Sequence, residues 1–443
     1  MSNRIKTTLG NLSAAGRALI SGPFGSNIGK RFFKNEGIPV IRGNNLTTDN
    51  KKFVDSGFVF LTQEKADELN AYAVEGDLIF TAAGTIGQVG IIPKGSKYAR
   101  YVISNKQLRF RANIQKVDPN FLYAWLASPW ILKAITNRNT GSTVPLINLG
   151  IIRSLPILLP EDTSEQQKIA AVLSALDAKI DCNNRINAEL EAMAKTLYDY
   201  WFVQFEFPDG NGKPYKSSGG RMVYNHTLKR EIPAGWESGS FSEWIASDKT
   251  GDWGKESLEG NYTLQVNCIR GTDINGVNGV GGLSSPTRFI SERNRGKILL
   301  PFDFVIEISG GSPTQSTGRM TFILAETLNR FSHPPICSNF CKAIALKDNC
   351  YFFNFVYEWK SVYDKKILFG WEGKTSGIKN LLFDAFVRKY LLCTPPRKLA
   401  QQFFEFVSPL QIQKQKLLQE NDALEILRDW LLPMLMSGQV TVA

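Results

Sequence analysis

The sequence predicts a mixed α/β (α+β) fold built twice over: two similar sheet-rich domains joined by two long helices that form an antiparallel coiled coil, with an internal pseudo-twofold repeat. Three observations predict it. Short motifs recur in the same order at a nearly constant offset, each copy passes from strand-like to helix-like patterning, and each copy ends in a long run with apolar residues spaced alternately by three and four.

The repeat is read by laying the chain on itself. "VIRGNNL" at 40–46 returns as "CIRGTDI" at 268–274, an offset of 228, and "GDLI" at 76–79 returns as "FDFV" at 302–305, an offset of 226. "ISNKQLRF" from Ile103 resembles "CSNFCKAI" from Cys337, and "FLYAW" at 121–125 resembles "NFVYEW" ending at Trp359. "INLGIIRSLPILLP" at 147–160 matches "KNLLFDAFVRKYLL" at 379–392, and "NAELEAM" at 187–193 returns as "NDALEIL" at 421–427, 234 residues on. Six matches in unchanged order define two copies of one unit of roughly 200 residues, which presents two similar surfaces from one chain.

Within the first copy, residues 37–112 alternate β-branched or aromatic runs such as "IPVIR" and "DLIFT" with turn clusters such as "GPFGSN" and "AAGTIGQ". That pattern predicts a compact sheet with loops on one side. Asp118-Pro119 is an N-cap and first helical residue, and Pro129 interrupts the helix that follows. Ser164 with Gln167 is a capping-box signal for the long helix, whose positions 169, 173, 176, 180, 183, 187, 190, 194, 197 and 201 form a seam with central Asn183 and Asn187. The second seam carries Leu410, Leu417, Asn421, Leu424 and Leu431, with Ser408-Pro409 read as its start and Pro433 as its end. The two runs are expected to pair as a strut between the sheet domains.

Composition narrows the class. The 443 residues are 43% hydrophobic and 21% charged, which suits an ordinary globular chain with two or three cores. The sequence has no membrane-length apolar run and no secretory block at its start, and its six cysteines do not resemble a disulfide framework, so a cytoplasmic, reduced protein is expected. A net charge of +11 suits a polyanionic partner.

Catalytic chemistry is poorly supplied. "GSNIGKR" at 25–31 and "GWEGKTS" at 370–376 imitate a phosphate loop, but neither has a glycine separated by four residues from its Gly-Lys. His226 and His333 are the only histidines. The spacing of His333, Cys337, Cys341 and Cys350 admits a zinc site, but Cys337 and Cys341 fall on an expected strand, where cysteine is a common buried apolar residue.

The string "SEQQKIAAVLSALDAKIDCNNRINAELEAMAKTLYDYWF", with "GKPYKSSGGRMVYNHTLKREIPAGW" after it, resembles the central shared region of the specificity subunits of type I restriction-modification systems. "NDALEILRDWLLPMLMSGQV" resembles their C-terminal shared region, "SGPFGSNIG" and "GIPVIRGNNL" the start of a first target recognition domain, and "DWGKES" and "IRGTDI" that of a second. The resemblance implies boundaries at 1–160 and 237–397 for the recognition domains and at 161–236 and 398–443 for the shared regions. It also implies a chain without catalysis or cofactor of its own, each recognition domain reading half of a split target in double-stranded DNA. The implied partners are two methyltransferase subunits and restriction/translocase subunits, which would use S-adenosylmethionine, ATP and Mg. The rival reading is a coiled-coil adaptor that binds protein only.

DNA contact needs cations for phosphate and short polar side chains on rigid loops for base edges, with Arg or Lys suited to guanine and Asn or Gln to adenine. The row "KGSKYARYVISNKQLRFR" at 94–111 carries six basic residues and no acidic one, and "SPTRFISERNRGK" at 285–297 and "GKTSGIK" at 373–379 are its counterparts in the second copy. By residue type and position, the candidates in the first copy are Ser26, Asn27, Lys30, Arg42, Asn44, Asn45, Gln88, Lys97, Arg100, Lys106 and Gln107. In the second copy they are Arg270, Thr272, Asp273, Arg288, Gln315, Thr317, Lys374 and Ser376.

Overall fold

The computed structural model describes residues 4–47, 52–141, 144–312, 314–375 and 377–442. It divides into two compact units, Met1–Ile180 with Ala423–Ala443, and Asp181–Asp422. Both are mixed α/β.

The first unit has strands β1 (Arg4–Thr8), β2 (Leu19–Ser21), β3 (Ile38–Ile41), β4 (Val59–Leu61), β5 (Tyr72–Ala73), β6 (Leu78–Thr81), β7 (Val89–Ile91), β8 (Tyr101–Ile103), β9 (Gln107–Phe110) and β10 (Pro156–Pro160). They make two four-stranded sheets, ordered β2-β9-β6-β7 and β4-β3-β8-β5, where the sequence pattern suggests one. The reason lies in β6, "LIFT", which is buried along its whole length. Alternate side chains of a strand point to opposite faces, so Leu78 and Phe80 enter a core shared with helices while Ile79 enters a core shared with the second sheet. A strand apolar on both faces needs cover on both. The helical cover comes from Pro119–Leu126, where Asp118 accepts the amides of Asn120 and Phe121 at 2.9 Å, and from Pro129–Thr136, which Pro129 starts. Phe121, Leu122 and Trp125 bury against the sheet, each worth roughly 2–3 kcal/mol. Antiparallel β1 and β10 tie the ends of the region together, Arg4 opposite Pro160.

The second unit has β11 (Met222–Asn225), β12 (Arg230–Pro233), β13 (Glu237–Ser240), β14 (Ile245–Thr250), β15 (Tyr262–Ile269), β16 (Thr287–Ser291), β17 (Phe304–Glu307) and β18 (Ser309–Gly310). It continues through β19 (Met320–Phe322), β20 (Pro335–Cys337), β21 (Cys341–Leu346), β22 (Glu372–Thr375), β23 (Ile378–Leu381) and β24 (Leu391–Thr394). The order β14-β21-β17-β19 follows β2-β9-β6-β7 strand for strand, β16-β15-β20 follows β4-β3-β8, and β13-β24 follows β1-β10. Parallel pairing recurs at the same place, Ile41 beside Ile103 and Ile269 beside Cys337. The faces recur as well, with Phe304 and Ile306 in one core and Val305 in the other. Two elements are additional: the β11-β12 hairpin and a small sheet ordered β18-β23-β22.

The long helices are Thr163–Tyr198 and Arg397–Ser437, roughly 54 and 61 Å at about 1.5 Å per residue. Asp162, not Ser164, caps the first, its carboxylate accepting the Ser164 amide at 2.9 Å. The second starts eleven residues before Ser408 and contains both Pro409 and Pro433. Proline inside a helix costs about 3 kcal/mol, but Leu399, Phe403 and Val407 bury one face of the extra turns in the second unit's core and outweigh it. In that unit the helices run antiparallel: Asn183 donates to Asn421 at 2.9 Å, Asn421 to Asn184 at 2.9 Å, and Lys414 to Glu191 at 2.9 Å. Burial alone would raise the Glu191 carboxyl, yet the Lys414 and Lys360 ammonium groups prevail and hold it at about 2.

A carboxyl depressed from 4.5 to about 2 stabilises the fold fully above about pH 4.5, and that contribution is lost as pH falls through about 2. Glu191→Ala leaves the Lys414 ammonium buried without its partner and is expected to cost about 3–5 kcal/mol at pH 7 in urea unfolding. Replacing Glu191 and Lys414 together by Met should recover most of that loss. Equal losses in the single and double variants would show that the ion pair is not the source.

Candidate nucleic-acid interface

In the first unit the candidate loops are assembled by backbone. The Ser104 amide donates to the Ile41 carbonyl at 2.9 Å, joining the turn after β8 to the loop after β3, and the Lys106 carbonyl accepts the Ala82 amide at 2.7 Å, joining the turn to the β6–β7 hairpin. The chain leaving β2 crosses this turn at Gly22 so closely that a Cβ would lie 1.8 Å from the Ser104 carbonyl oxygen, and the loop that follows reaches Asn105 at Gly25. Four loops therefore meet at one end of the sheets.

Polar side chains beneath hold them. Asn45 is fully buried; its carbonyl accepts the Arg42 amide at 3.0 Å and its amide donates to the carbonyls of Val54 and Ser56 at 2.9 Å. Gln107 is buried against Ser104. Half-buried Gln88 accepts from the Thr81 hydroxyl at 2.8 Å and donates to the Leu46 carbonyl at 3.0 Å. Arg42 and Asn44 both donate to the Gly57 carbonyl, at 3.0 and 3.4 Å. Exposed on the loops are Ser26, Asn27, Lys30, Asn44 and Lys106, together with Phe24 at 84% exposure. Lys97 and Arg100 are exposed but belong to another group: Arg100 lies 4.9 Å over the Tyr72 ring and donates to Gln63 at 2.7 Å, and Lys97 lies 5.5 Å from the Tyr98 ring.

The second unit repeats the scaffold with different side chains. A Cβ on Gly251 would lie 1.9 Å from the Ser338 carbonyl oxygen. The Ser338 amide donates to the Ile269 carbonyl at 2.9 Å, and the Phe340 carbonyl accepts the amides of Ile308 and Ser309 at 2.9 and 3.1 Å. Asp273, buried at the position of Asn45, accepts the Arg270 amide at 2.9 Å and binds the Arg270 guanidinium through both oxygens at 2.8 and 2.9 Å. Burial pushes the Asp273 carboxyl up, and the Arg270 bonds more than offset it and hold it below the ordinary range. Where the first unit has Thr81 and Gln88, the second has Glu307 and Arg319, joined at 2.7 and 2.8 Å. The extra β18-β23-β22 sheet supplies Glu372, which accepts the amide and hydroxyl of Thr317 at 2.8 and 3.1 Å.

The result is a cleft of about 560 Å³ lined by Trp253, Arg270, Thr272, Gln315, Thr317 and Phe340, among others. Arg288 is not in that lining; its guanidinium lies 4.8 Å from the Trp253 ring and 2.8 Å from Glu256. Lys374 lies on β22 with its side chain outside the described residues, as is the whole of Ser376.

Several expectations are corrected by burial. Asn45, Gln107 and Asp273 are buried, so their side chains position loops and do not face outward, and Thr317, on the wall of the cleft, is buried and held by Glu372. Arg109 and Arg111 of the basic row are structural: Arg109 is buried and donates to the Tyr72 carbonyl at 3.1 Å, and Arg111 clasps Asp77 through two bonds of 2.7 Å. Cys337 and Cys341 are core residues of strands, with burial pushing the Cys337 thiol up to about 12, and no group of three or more metal ligands occurs among the described residues. Sequence reasoning passed over Phe24, Trp253 and Phe340 as site residues. The signal was an aromatic residue inside a glycine-flanked or Ser-Asn turn, where no core position is expected.

Residues 26–192 match the family model for the type I restriction modification DNA specificity domain. The chain is 30% identical over 203 residues to the type I restriction enzyme MjaIX specificity subunit of Methanocaldococcus jannaschii, covering 45% of this chain and 43% of that one. It is 37% identical over 109 residues to the type I restriction enzyme HindI specificity subunit of Haemophilus influenzae, covering 24% and 23%. The matched segments thus span less than half the length of these two relatives. The fold is shared with the type I restriction-modification S subunit from M. genitalium at a TM-score of 0.54 and 16% identity, covering 98% of this chain and 96% of that one. Among the described residues, no helix is long and apolar enough to cross a membrane.

Gly22→Ala and Gly251→Ala, which drive a methyl group into backbone that cannot yield, are each expected to destabilise by about 2 kcal/mol or more in urea unfolding. Gly296→Ala, which meets nothing within 4 Å at an ordinary φ, should change stability by less than about 0.5 kcal/mol. Tolerance of all three alike would remove the crossing as a constraint.

Proposed function

We propose that this chain is the DNA-recognition subunit of a type I restriction-modification complex, with each sheet unit reading one half of a bipartite target. The observation that carries the reading is the loop scaffold built twice on the same backbone contacts, with different exposed side chains on each copy. Rigid loops with outward Asn, Gln, Thr, Lys and aromatic groups are what base reading requires. Exposed cations beside them, Lys30 and Lys106 in the first unit, suit phosphate and base edges. The recognition domains are assigned to residues 1–160 and 237–397, and the remaining segments, 161–236 and 398–443, hold the long helices and dock the partners. Chemistry falls to those partners in the cytoplasm: methyltransferase subunits using S-adenosylmethionine, and restriction subunits using ATP and Mg. Exposed apolar groups near the helix ends of each unit, Trp430 and Ile426 in the first and Phe406 and Val203 in the second, fit one methyltransferase per unit.

The target should consist of two short blocks separated by an unread spacer. Exchanging residues 1–160 for those of a relative is expected to change one block only, as read from the methylated adenines of the host genome. A change in both blocks would end the two-reader model. Lys30→Ala should weaken binding to all sequences alike and reduce the salt dependence of log K by about one, which titration of the assembled complex at several salt concentrations measures. An unchanged slope would remove Lys30 from the phosphate contacts.

A further inference from the structure

Lys106 and Phe340 occupy one structural position in the two units. Each is the second residue after the serine whose amide bonds the parallel neighbour strand, Ser104 to Ile41 and Ser338 to Ile269, both at 2.9 Å. Each lies on the turn that the preceding glycine crosses, Gly22 or Gly251. Each carbonyl accepts the first amide of the adjoining hairpin loop, Ala82 at 2.7 Å or Ile308 at 2.9 Å. The backbone at this position is therefore fixed from three sides in both copies, while the side chain makes none of those bonds and is exposed in both.

The side chains differ in kind. Lys106 is exposed, and its ammonium has no partner among the described residues. Phe340 leaves 45% of its surface in water on the wall of the polar cleft, across which Arg270 and Arg319 are already paired with Asp273 and Glu307. A single exposed phenyl is ordinary. One held at the tip of a rigid turn, at the place where the other copy presents a free cation, is positioned for a ligand.

We propose that this position determines specificity in both units, Phe340 reading thymine through its 5-methyl group and Lys106 reading guanine through O6 and N7. The inference rests on the DNA-recognition reading above. A phenyl ring neither donates nor accepts a hydrogen bond, and the thymine methyl is the only apolar group that the four bases present in the major groove. An ammonium finds adjacent acceptors only on guanine.

The test uses the full chain assembled with its methyltransferase subunits and a randomised duplex library, followed by synthetic duplexes of the selected target. Each thymine of the second block is replaced in turn by deoxyuridine, which removes only the methyl group. At one position this should weaken wild-type binding about three- to fivefold, and the same replacement should have no effect on Phe340→Ala. Phe340→Lys should turn that thymine preference into guanine with the first block unchanged, and Lys106→Phe should do the converse in the first block. A second block without thymine, no sensitive deoxyuridine position in wild type, or sensitivity that persists in Phe340→Ala overturns the inference while leaving a two-block reader intact. A wild-type complex that enriches no sequence overturns the recognition reading itself, and this inference with it.

Discussion

The loops of each unit depend on a backbone crossing that admits no side chain. At Gly22 and again at Gly251 the chain passes over a serine carbonyl with less than 2 Å available to a Cβ. Glycine is required here for space and not for a left-handed φ, since neither residue has positive φ. Once the crossing is made, the turn after β8 or β20, the loop after β3 or β15 and the β6–β7 or β17–β19 hairpin join through amide–carbonyl bonds. Because the backbone supplies these bonds, exposed side chains such as Lys106 and Phe340 are not needed to make them. That separation lets the scaffold stay the same while its outward chemistry changes.

The paired helices solve a different problem, that of register. An antiparallel apolar seam can slide by one heptad at little cost, and buried polar groups prevent it by losing their partners when it does. In the second unit Glu191 faces Lys414 and Gln411, and Asn421 faces Asn183 and Asn184. A slip of seven residues would bring Glu191 to the level of Val407 or Asn421 and leave the Lys414 ammonium buried alone. The penalty for an unpaired buried charge, several kcal/mol, exceeds what the apolar contacts could regain.

The duplication was legible because the matched motifs lie on the structural joints. "VIRG" and "CIRG" end the parallel strands, "ISN" and "CSN" make the crossed turns, and the "GDLI" and "FDFV" runs are central strands buried on both faces. What could not be read was the side of the loop on which a polar residue would fall. Asn44 and Asn45 are adjacent and alike, yet one is exposed and the other buried, because only the second reaches back to the Arg42 amide. The extent of the second long helix was also hidden. Ser408-Pro409 is a good local start signal, and it is overridden by burial of Phe403 and Val407, a tertiary effect that local pattern does not carry. The second sheet was missed for the same reason, since a continuously apolar strand does not announce how many layers cover it.

The two loop clusters differ most in the polar groups beneath them, and the difference changes how the net positive charge should be understood. In the first unit these are neutral amides and hydroxyls, Asn45, Thr81 and Gln88. In the second the same places hold Asp273 and the Glu307–Arg319 pair, with Arg270 locked onto Asp273. A lone buried carboxylate facing a polyphosphate would repel it, so each of these carboxylates is tolerated only with its arginine in place. Arg270 and Arg319 are thus already engaged within the protein, as are Arg109 and Arg111 in the first unit. On the proposed DNA-recognition reading, the cations left to meet phosphate and bases are exposed loop lysines such as Lys30 and Lys106. On that reading, sequence charge overstates the attraction available at the interface, and selectivity falls to the few loop side chains that the scaffold leaves free.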